Sequence, residues 1–316
     1  MTSFLLRKMI VLKKAIIEHG VFMRFTYHPC MCPIDQYSAL AVAAEAEGFD
    51  GFTLPDSICF PKEATTNYPY NKDGSRQFLD ETPFVEPFVL IPYLAAQTQK
   101  LHFTTSVMKL PIRNPVIVAK QLTSMNALLN DRFSFGIGIS PWAEDFAICG
   151  EAWAGRGKRM DEMIAIIKGL HHGDYFEFEG TFYDMPACKM NPVPKQVTPI
   201  LIGGHADLAL KRAAKLGDGW IHAGGDLDTL KNYISKLNHF REAFGTLDKP
   251  FQIHAITAEA FSIEGVSALA KLGVTECIVG FRDPYQGEQD QSTIEDKIKM
   301  MQWYRRHIIE PYKESL

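Results

Sequence analysis

Strand-like and helix-like segments alternate along this chain from Met23 almost to its end. Short apolar runs typical of buried strands are predicted at 24–28, 49–54, 101–109, 132–139, 199–202, 219–222, 251–257 and 276–281. Helical periodicity follows most of them, for example at 34–47, 83–99, 156–172 and 294–309. Alternation of this kind makes the strands parallel, because each helix returns the chain to the same end of the sheet. We therefore predict an α/β protein, a (β/α)₈ TIM barrel.

An open, doubly wound sheet is the alternative architecture. It would need a GxGxxG turn after the first strand, and the segment 27–33, Tyr-His-Pro-Cys-Met-Cys-Pro, contains no glycine. We expect one barrel domain over residues 23–316. Residues 1–22 are expected to form an N-terminal extension, because Arg and Lys interrupt every apolar run there and break a signal-peptide core.

Composition excludes several classes of function. The net charge of −4 gives no electrostatic footprint for nucleic acid, and no apolar run is long enough to span a membrane. The six cysteines include no CxxC pair, so we expect a reduced, cytoplasmic protein. We expect no metal site, because no His/Cys cluster accompanies Cys30 and Cys32. The chain also lacks HExxH and a serine nucleophile elbow, which leaves hydrolase chemistry without support.

The run 200–222 carries the strongest local signal. It predicts a buried strand, a turn at Gly203 and Gly204, an amphipathic helix and the next strand. Glycines let a ligand approach the backbone, and the helix start offers free N–H groups to an anion. A second glycine-bearing loop begins at His222. Two such loops on neighbouring strands suit one phosphate, although an ordinary strand-to-helix turn is the alternative for the first.

In such barrels, functional residues lie on the loops that follow the strands. Those positions give the candidates His28, Asp56, Ser106, Val107, Ser140, Trp142, Gly203, Gly204, His205, His222, Ala223 and Gly224. The long polar segment 55–82 is expected to bound the deepest pocket, because loops of this length are usually functional. The aromatic and apolar residues on these loops suit a planar ring.

Five segments resemble the luciferase-like superfamily of flavin- and deazaflavin-dependent oxidoreductases. They are AEAEGFDGFTLPD at 44–56, TSVMKLPIRNPVIVAKQ at 105–121, FGIGISPWAEDF at 135–146, RGKRMDE at 156–162, and IGG through GDGW at 202–220. The resemblance covers nearly all of the chain from Met23 onward. It is greatest to the branch described as probable coenzyme F-420-dependent oxidoreductases.

The resemblance implies a flavin or deazaflavin ring on a bulge at the end of the third strand, with a cis peptide at Ser106–Val107. It implies a cofactor-binding set in which Ser140 and His205 join that bulge, and a phosphate at Gly203–Gly204 and the loop His222, Ala223, Gly224. His28, Asp56 and Trp142 are the candidate catalytic residues. The sugar-phosphate dehydrogenases of the superfamily have Asp-His after the second strand. This chain has Asp56-Ser57, and their acidic residue after the fourth strand is replaced near Pro141.

Three functions follow from the resemblance. The first is a deazaflavin-dependent oxidoreductase that transfers a hydride to or from a small organic substrate. The second is a monooxygenase that uses reduced FMN from a separate reductase, and the third is a non-catalytic flavin-binding barrel. We expect a homodimer. Lys62, Lys72 and Arg76 either line a basic groove for the deazaflavin tail or belong to a solvated face.

Overall fold

Eight parallel strands close into a barrel in the computed structural model, which describes residues 23–68, 74–283 and 290–316. The expected extension 1–22 lies outside the described residues, as does Lys72. The eight strands are β1 (Arg24–Tyr27), β2 (Gly51–Leu54), β3 (His102–Thr105), β5 (Phe133–Gly138), β8 (Ile200–Gly203), β9 (Gly219–His222), β10 (Gln252–Ala255) and β11 (Glu276–Val279). Pairing of Phe103 with Phe133 joins β3 to β5 and closes the ring. The predicted TIM barrel is confirmed.

Helices cover the outside of the ring. Those of the described residues are α1 (Tyr37–Ala46), α2 (Pro87–Ala95), α3 (Pro115–Leu129), α4 (Ala143–Ile148), α5 (Arg156–Leu170), α6 (Asp207–Leu216), α7 (Leu227–Ala243), α8 (Ile263–Lys271), α9 (Ile294–Tyr304) and α10 (Glu310–Glu314). The predicted hairpin is present as β6 (Phe176–Glu179) and β7 (Asp184–Cys188), which pair antiparallel. Among these helices, none has the length and apolar character of a membrane span.

The barrel interior has a polar layer below an apolar one. Near the amino ends of the strands, the Thr26 hydroxyl donates a hydrogen bond to buried Glu276 at 2.6 Å, and His102 contacts Ser134 at 2.9 Å. Above them lie the apolar side chains Leu201, Ile221 and Ile278, with Val107 packed against them. Alternation along each strand sends every second side chain inward. The apolar layer therefore separates the polar layer from the mouth formed by the strand ends.

Two predicted elements differ from the structure for local reasons. The helix expected from residue 83 begins at Pro87, because the Glu86 side chain accepts the N–H of Val89 and caps it there. The strand expected over 101–109 is divided into β3 and the short β4 (Met108–Lys109). The peptide bond Ser106–Val107 between them is cis, as the family resemblance implied.

Candidate active site

The bulge between β3 and β4 forms the floor of the barrel mouth. Val107 fits against glycines of two other strands: a Cβ on Gly138 or on Gly203 would lie 2.8 Å from a Val107 methyl group. A Cβ on Gly136 would lie 1.8 Å from the Thr105 carbonyl oxygen. These glycines give the bulge room to enter the barrel. Gly203 thus has a packing function in addition to the predicted contact with a ligand.

His28 directly follows β1, two residues after inward-facing Thr26, so the alternation of the strand puts it on the side of the barrel mouth. Its Nδ1 accepts a hydrogen bond from the Cys30 N–H at 2.9 Å. This contact fixes the tautomer, because the proton of the neutral ring must then be on Nε2. Desolvation lowers the pKa of His28 to about 4. A neutral His28 ring in this tautomer offers its Nε2–H as a hydrogen-bond donor.

Asp56 follows β2 and is tied to the segment after β4. Its Oδ1 pairs with Arg113 Nη2 at 2.9 Å, and its Oδ2 accepts the Lys109 N–H at 2.9 Å. Arg113 also donates to the Lys109 carbonyl oxygen at 2.7 Å. Both oxygens are therefore occupied by fixed donors. This arrangement makes Asp56 a brace between β2 and β4 and leaves it poorly suited to exchange protons with a substrate.

A second buried ion pair supports the end of β5. Lys109 Nζ lies 2.7 Å from Asp145 Oδ2, and both side chains are almost fully buried. The Ser140 hydroxyl donates to the same Asp145 oxygen at 3.1 Å and accepts the Trp142 N–H at 3.1 Å. Ser140 has a left-handed backbone, with φ of 61°. In the structure, the Ser140 hydroxyl holds its own turn.

Trp142 is covered by the long loop after β2. Its ring stacks on Tyr68 with 5.0 Å between centroids, and the Arg76 guanidinium lies 4.6 Å from the ring centre. Glu144 fastens the same loop, because its Oε1 accepts the N–H groups of Thr65 and Thr66. Trp142 is therefore a packing surface for the loop at the rim. Arg76 is 6% exposed, so the interpretation of it as part of a solvated face is wrong.

Glycine-bearing loops follow β8 and β9, as the sequence indicates. Gly204 has φ of +114° and Gly224 has φ of +103°, conformations that side-chain-bearing residues rarely adopt. A Cβ on Gly224 would meet nothing within 4 Å, so open space lies beside that loop. Helix α6 starts three residues after Gly204, and its N-cap residue Ala206 offers no side-chain cap. The first N–H groups of α6 are thus available to an anion.

His205 and His222 form a stacked pair beside these glycines. Their ring centroids are 4.9 Å apart, and His205 also stacks on Tyr233 at 4.6 Å. His205 Nε2 accepts the Ala223 N–H at 3.1 Å and so joins the two loops. His222 and Trp220 of β9 are both fully buried, and their ring centroids lie 5.5 Å apart. Desolvation lowers the pKa of His222 to about 4.

One atom of His222 is left without a partner. Its Nδ1 contacts the Ile256 carbonyl oxygen at 3.2 Å, so Nδ1 carries the proton of the neutral ring. Its Nε2 is buried and contacts no hydrogen-bond partner in the described part of the chain. A Cβ on Gly225 would lie 3.5 Å from that atom. In the neutral ring, Nε2 is therefore a buried hydrogen-bond acceptor without a partner among the described residues.

The structure divides the candidate residues into groups around one rim. The bulge with Ser106 and Val107 forms the floor, and His28 faces the mouth from β1. Asp56, Ser140 and Trp142 belong to the β2–β5 side. The remaining candidates, Gly203, Gly204, His205, His222, Ala223 and Gly224, form the loops after β8 and β9. Within the described ranges, no group of three or more His, Cys, Asp or Glu side chains is arranged to hold a metal ion.

Sequence reasoning missed the charged residues of this rim. Lys109, Arg113 and Asp145 were read only as parts of family segments, and no role was predicted for them. Their signal is weak, because an isolated Lys or Asp in a sequence is usually a surface residue. The signal that could have found Lys109 is its position, directly after a buried strand and before an apolar Leu-Pro-Ile run.

Comparison with known proteins identifies the family. The luciferase-like monooxygenase family model matches residues 21–262, and the chain belongs to this family. The uncharacterized protein Rv0940c of Mycobacterium tuberculosis is 48% identical over 287 residues, which cover 91% of this chain and 99% of that protein. An F420-dependent glucose-6-phosphate dehydrogenase of Amycolatopsis mediterranei is 30% identical over 191 residues, which cover 58% of this chain and 52% of that protein.

Solved structures share the fold at low sequence identity. Monooxygenase RslO1 from Streptomyces bottropensis has a TM-score of 0.70 at 15% identity, covering 92% of this chain and 100% of that one. The coenzyme F420-dependent tetrahydromethanopterin reductase from Methanopyrus kandleri has a TM-score of 0.69 at 14% identity, covering 92% and 99%. Oxidoreductases and monooxygenases are therefore both represented among proteins with this barrel.

Proposed function

We propose that this chain is a deazaflavin-dependent oxidoreductase that transfers a hydride to or from a small organic substrate. The observation that carries the proposal is the geometry of the two loops after β8 and β9, residues 204–206 and 223–226, which together we call the cradle. The glycine loops, the uncapped start of α6 and the unpartnered Nε2 of His222 belong to two neighbouring loops, which the hydrogen bond from the Ala223 N–H to His205 Nε2 joins. The 30% identity to an F420-dependent dehydrogenase favours a deazaflavin over other phosphate-bearing groups.

The residues of the cradle fit a phosphate-bearing cofactor. Gly224 leaves its approach open, and backbone N–H groups at the start of α6 would bind the phosphate oxygens. His222 would either accept a cofactor hydroxyl or take up a proton and bind an oxygen of the phosphate. When bound, a deazaflavin supplies a carbon that gives or takes a hydride. The bulge at Ser106–Val107 would support the ring.

His28 would orient the substrate in this reaction. Its Nε2–H is fixed as a donor by the contact between Nδ1 and the Cys30 N–H. An oxygen of the substrate would accept that hydrogen bond. Asp56, which is held by Arg113 and the Lys109 N–H, would keep β2 and the bulge in register and would not move protons.

A reduced-FMN-dependent monooxygenase is the second candidate. The observation that favours it is the burial of Arg76, since a long deazaflavin tail needs cations on an accessible groove. The cradle suits the phosphate of FMN equally well. In that case a separate reductase would supply the reduced cofactor. We also propose a homodimer, in which the exposed Val89 and Tyr93 of α2 would be covered.

Titration of the purified protein with F420 and with FMN tests the cofactor assignment directly. We expect F420 to bind at least tenfold more tightly. Anaerobic assays with reduced F420 and a panel of unsaturated carbonyl compounds then test the reaction, and turnover without oxygen is expected. Turnover only with reduced FMN and oxygen would establish the monooxygenase instead. Binding of a cofactor without turnover on any substrate would favour a non-catalytic flavin-binding barrel.

A further inference from the structure

Arg76 is a buried cation, and two of its guanidinium nitrogens have no hydrogen-bond partner in the described ranges. Its Nη1 lies 3.4 Å from Glu144 Oε2, which is its ion-pair contact. Its Nε and Nη2 are buried and contact no hydrogen-bond acceptor in the described ranges. In each of Arg156, Arg159 and Arg241, by contrast, Nε is the only buried nitrogen without a partner in the described ranges. Buried donors of a charged group are rarely left unpaired, so this pair of nitrogens calls for an explanation.

The chemistry of the Nε and Nη2 edge is specific. Nε–H and Nη2–H point in parallel from one side of the planar guanidinium and match the two oxygens of a carboxylate. Glu144 does not meet this edge, because one of its oxygens binds the N–H groups of Thr65 and Thr66 and the other faces Nη1. Within the described ranges, the contact of Nη1 with Glu144 leaves Nε and Nη2 of Arg76 without an acceptor.

Arg76 belongs to the rim of the barrel mouth. Its guanidinium lies against the Trp142 ring, and the Trp142 N–H is held by Ser140 at the end of β5. Two residues before Ser140 is Gly138, which contacts Val107 of the bulge. Trp142 and Ser140 therefore connect Arg76 to the end of β5, the strand that packs against the bulge.

We propose that the Nε and Nη2 edge of Arg76 binds a carboxylate of the substrate, so that the substrate class is an organic acid. This inference rests on the proposed function, which puts the substrate at this rim. The acidic tail of a deazaflavin could present the same chemistry. The burial of Arg76 favours the substrate, because the tail of a cofactor runs along an accessible surface.

The experiment is calorimetric titration of the full chain with monocarboxylates from acetate to cinnamate, each compared with its methyl ester. It is run without cofactor and with F420 or FMN. We expect the wild type to bind at least one acid tenfold or more tightly than its ester. Arg76→Lys keeps the charge but loses the two-nitrogen edge, so it should lose that discrimination. Arg156→Lys is the matched control, because Arg156 also stacks on a tryptophan, Trp153, and it should bind as the wild type does.

Several outcomes would overturn the assignment. They are equal binding of acids and esters, no binding of any acid at millimolar concentration, and unchanged acid binding in Arg76→Lys. Circular dichroism establishes that the variant is folded, and Arg76→Gln replaces it if it is not. If Arg76→Lys weakens F420 but not a deazaflavin that lacks the tail, Arg76 binds the tail and the substrate assignment is wrong. Failure of F420 and FMN to bind the wild type would refute the proposed function alone, since the acid–ester comparison is also made without cofactor.

Discussion

At the scale of single residues, the glycines of the rim have different structural roles. Gly203 makes room for Val107, whereas Gly224 faces open space and Gly204 only approaches Ala209. A side chain at Gly203 would therefore disturb packing inside the barrel. A side chain at Gly204 would instead project from the loop after β8, close to the Ala209 methyl group of α6 and with a strained backbone. The two neighbouring glycines thus allow packing and binding to be tested separately.

Gly204→Asp should weaken binding of a phosphate-bearing cofactor about a thousandfold. Two like charges about 4 Å apart at an effective dielectric near 20 repel by about 4 kcal/mol. Gly204→Ala is the matched control, because it carries the same backbone strain at φ of +114° without the charge. Fluorescence titration with F420 and FMN measures both variants. Equal losses in the two would attribute the effect to strain and remove the phosphate from this loop.

His28 offers a test of hydrogen-bond donation against proton transfer. His28→Leu should lower kcat about tenfold to a hundredfold, the value of one hydrogen bond to the reacting substrate. His28→Gln, which retains a donor of similar reach, should recover part of that loss. Because the pKa of His28 is lowered to about 4, the wild-type rate should show no ionisation of this residue between pH 5 and 8. A rate that rises with deprotonation of His28 near pH 6.5 would make it a general base.

At the scale of elements, buried ion pairs hold the β2–β5 side of the rim together. Lys109 pairs with Asp145, and Arg113 pairs with Asp56. The side chains of both pairs are largely buried. Removal of one partner leaves the other as a buried, unpaired charge. The loops on this side thus owe their positions to charge pairing, whereas those after β8 and β9 owe theirs to glycine conformation and aromatic stacking.

Lys109→Met should destabilise the protein by about 3–5 kcal/mol, because Asp145 would keep only the Ser140 hydroxyl as a side-chain partner among the described residues. The double variant Lys109→Met with Asp145→Leu should recover much of that loss. Lys299→Met removes an exposed pair with Asp296 and should change stability by less than about 1 kcal/mol. Urea denaturation measures all three variants. Destabilisation by Lys109→Met no larger than that by Lys299→Met would contradict the importance of the buried pair.

The same elements define how far the sequence predicts this structure. Strand–helix alternation and the apolar runs predict the barrel, since period and burial are local properties of the chain. The cis bond at Ser106–Val107 could be expected only from the family resemblance. The contacts of Asp56 with Arg113 and of Arg76 with Trp142 could not be predicted, because they join residues far apart in sequence through side chains with no periodic pattern.

At the scale of the whole molecule, burial of neutral histidines couples folding to pH. Desolvation lowers the pKa of His28 and His222 to about 4 and that of His102 to about 3. In the unfolded chain these rings would have pKa values near 6.5. Between about pH 4 and pH 6.5 the unfolded state therefore binds more protons than the folded state.

Stability should consequently be greatest above about pH 6.5 and should fall as the pH is lowered towards 4. Each of the three histidines contributes a slope of up to about 1.4 kcal/mol per pH unit within that window. Urea denaturation from pH 4.5 to 8 measures the dependence, and His102→Gln should reduce the slope by about one histidine's share. Saturation with a phosphate-bearing cofactor should reduce it further, because an oxyanion beside Nε2 would raise the pKa of His222. If the slope is the same with and without bound cofactor, His222 does not contact the phosphate.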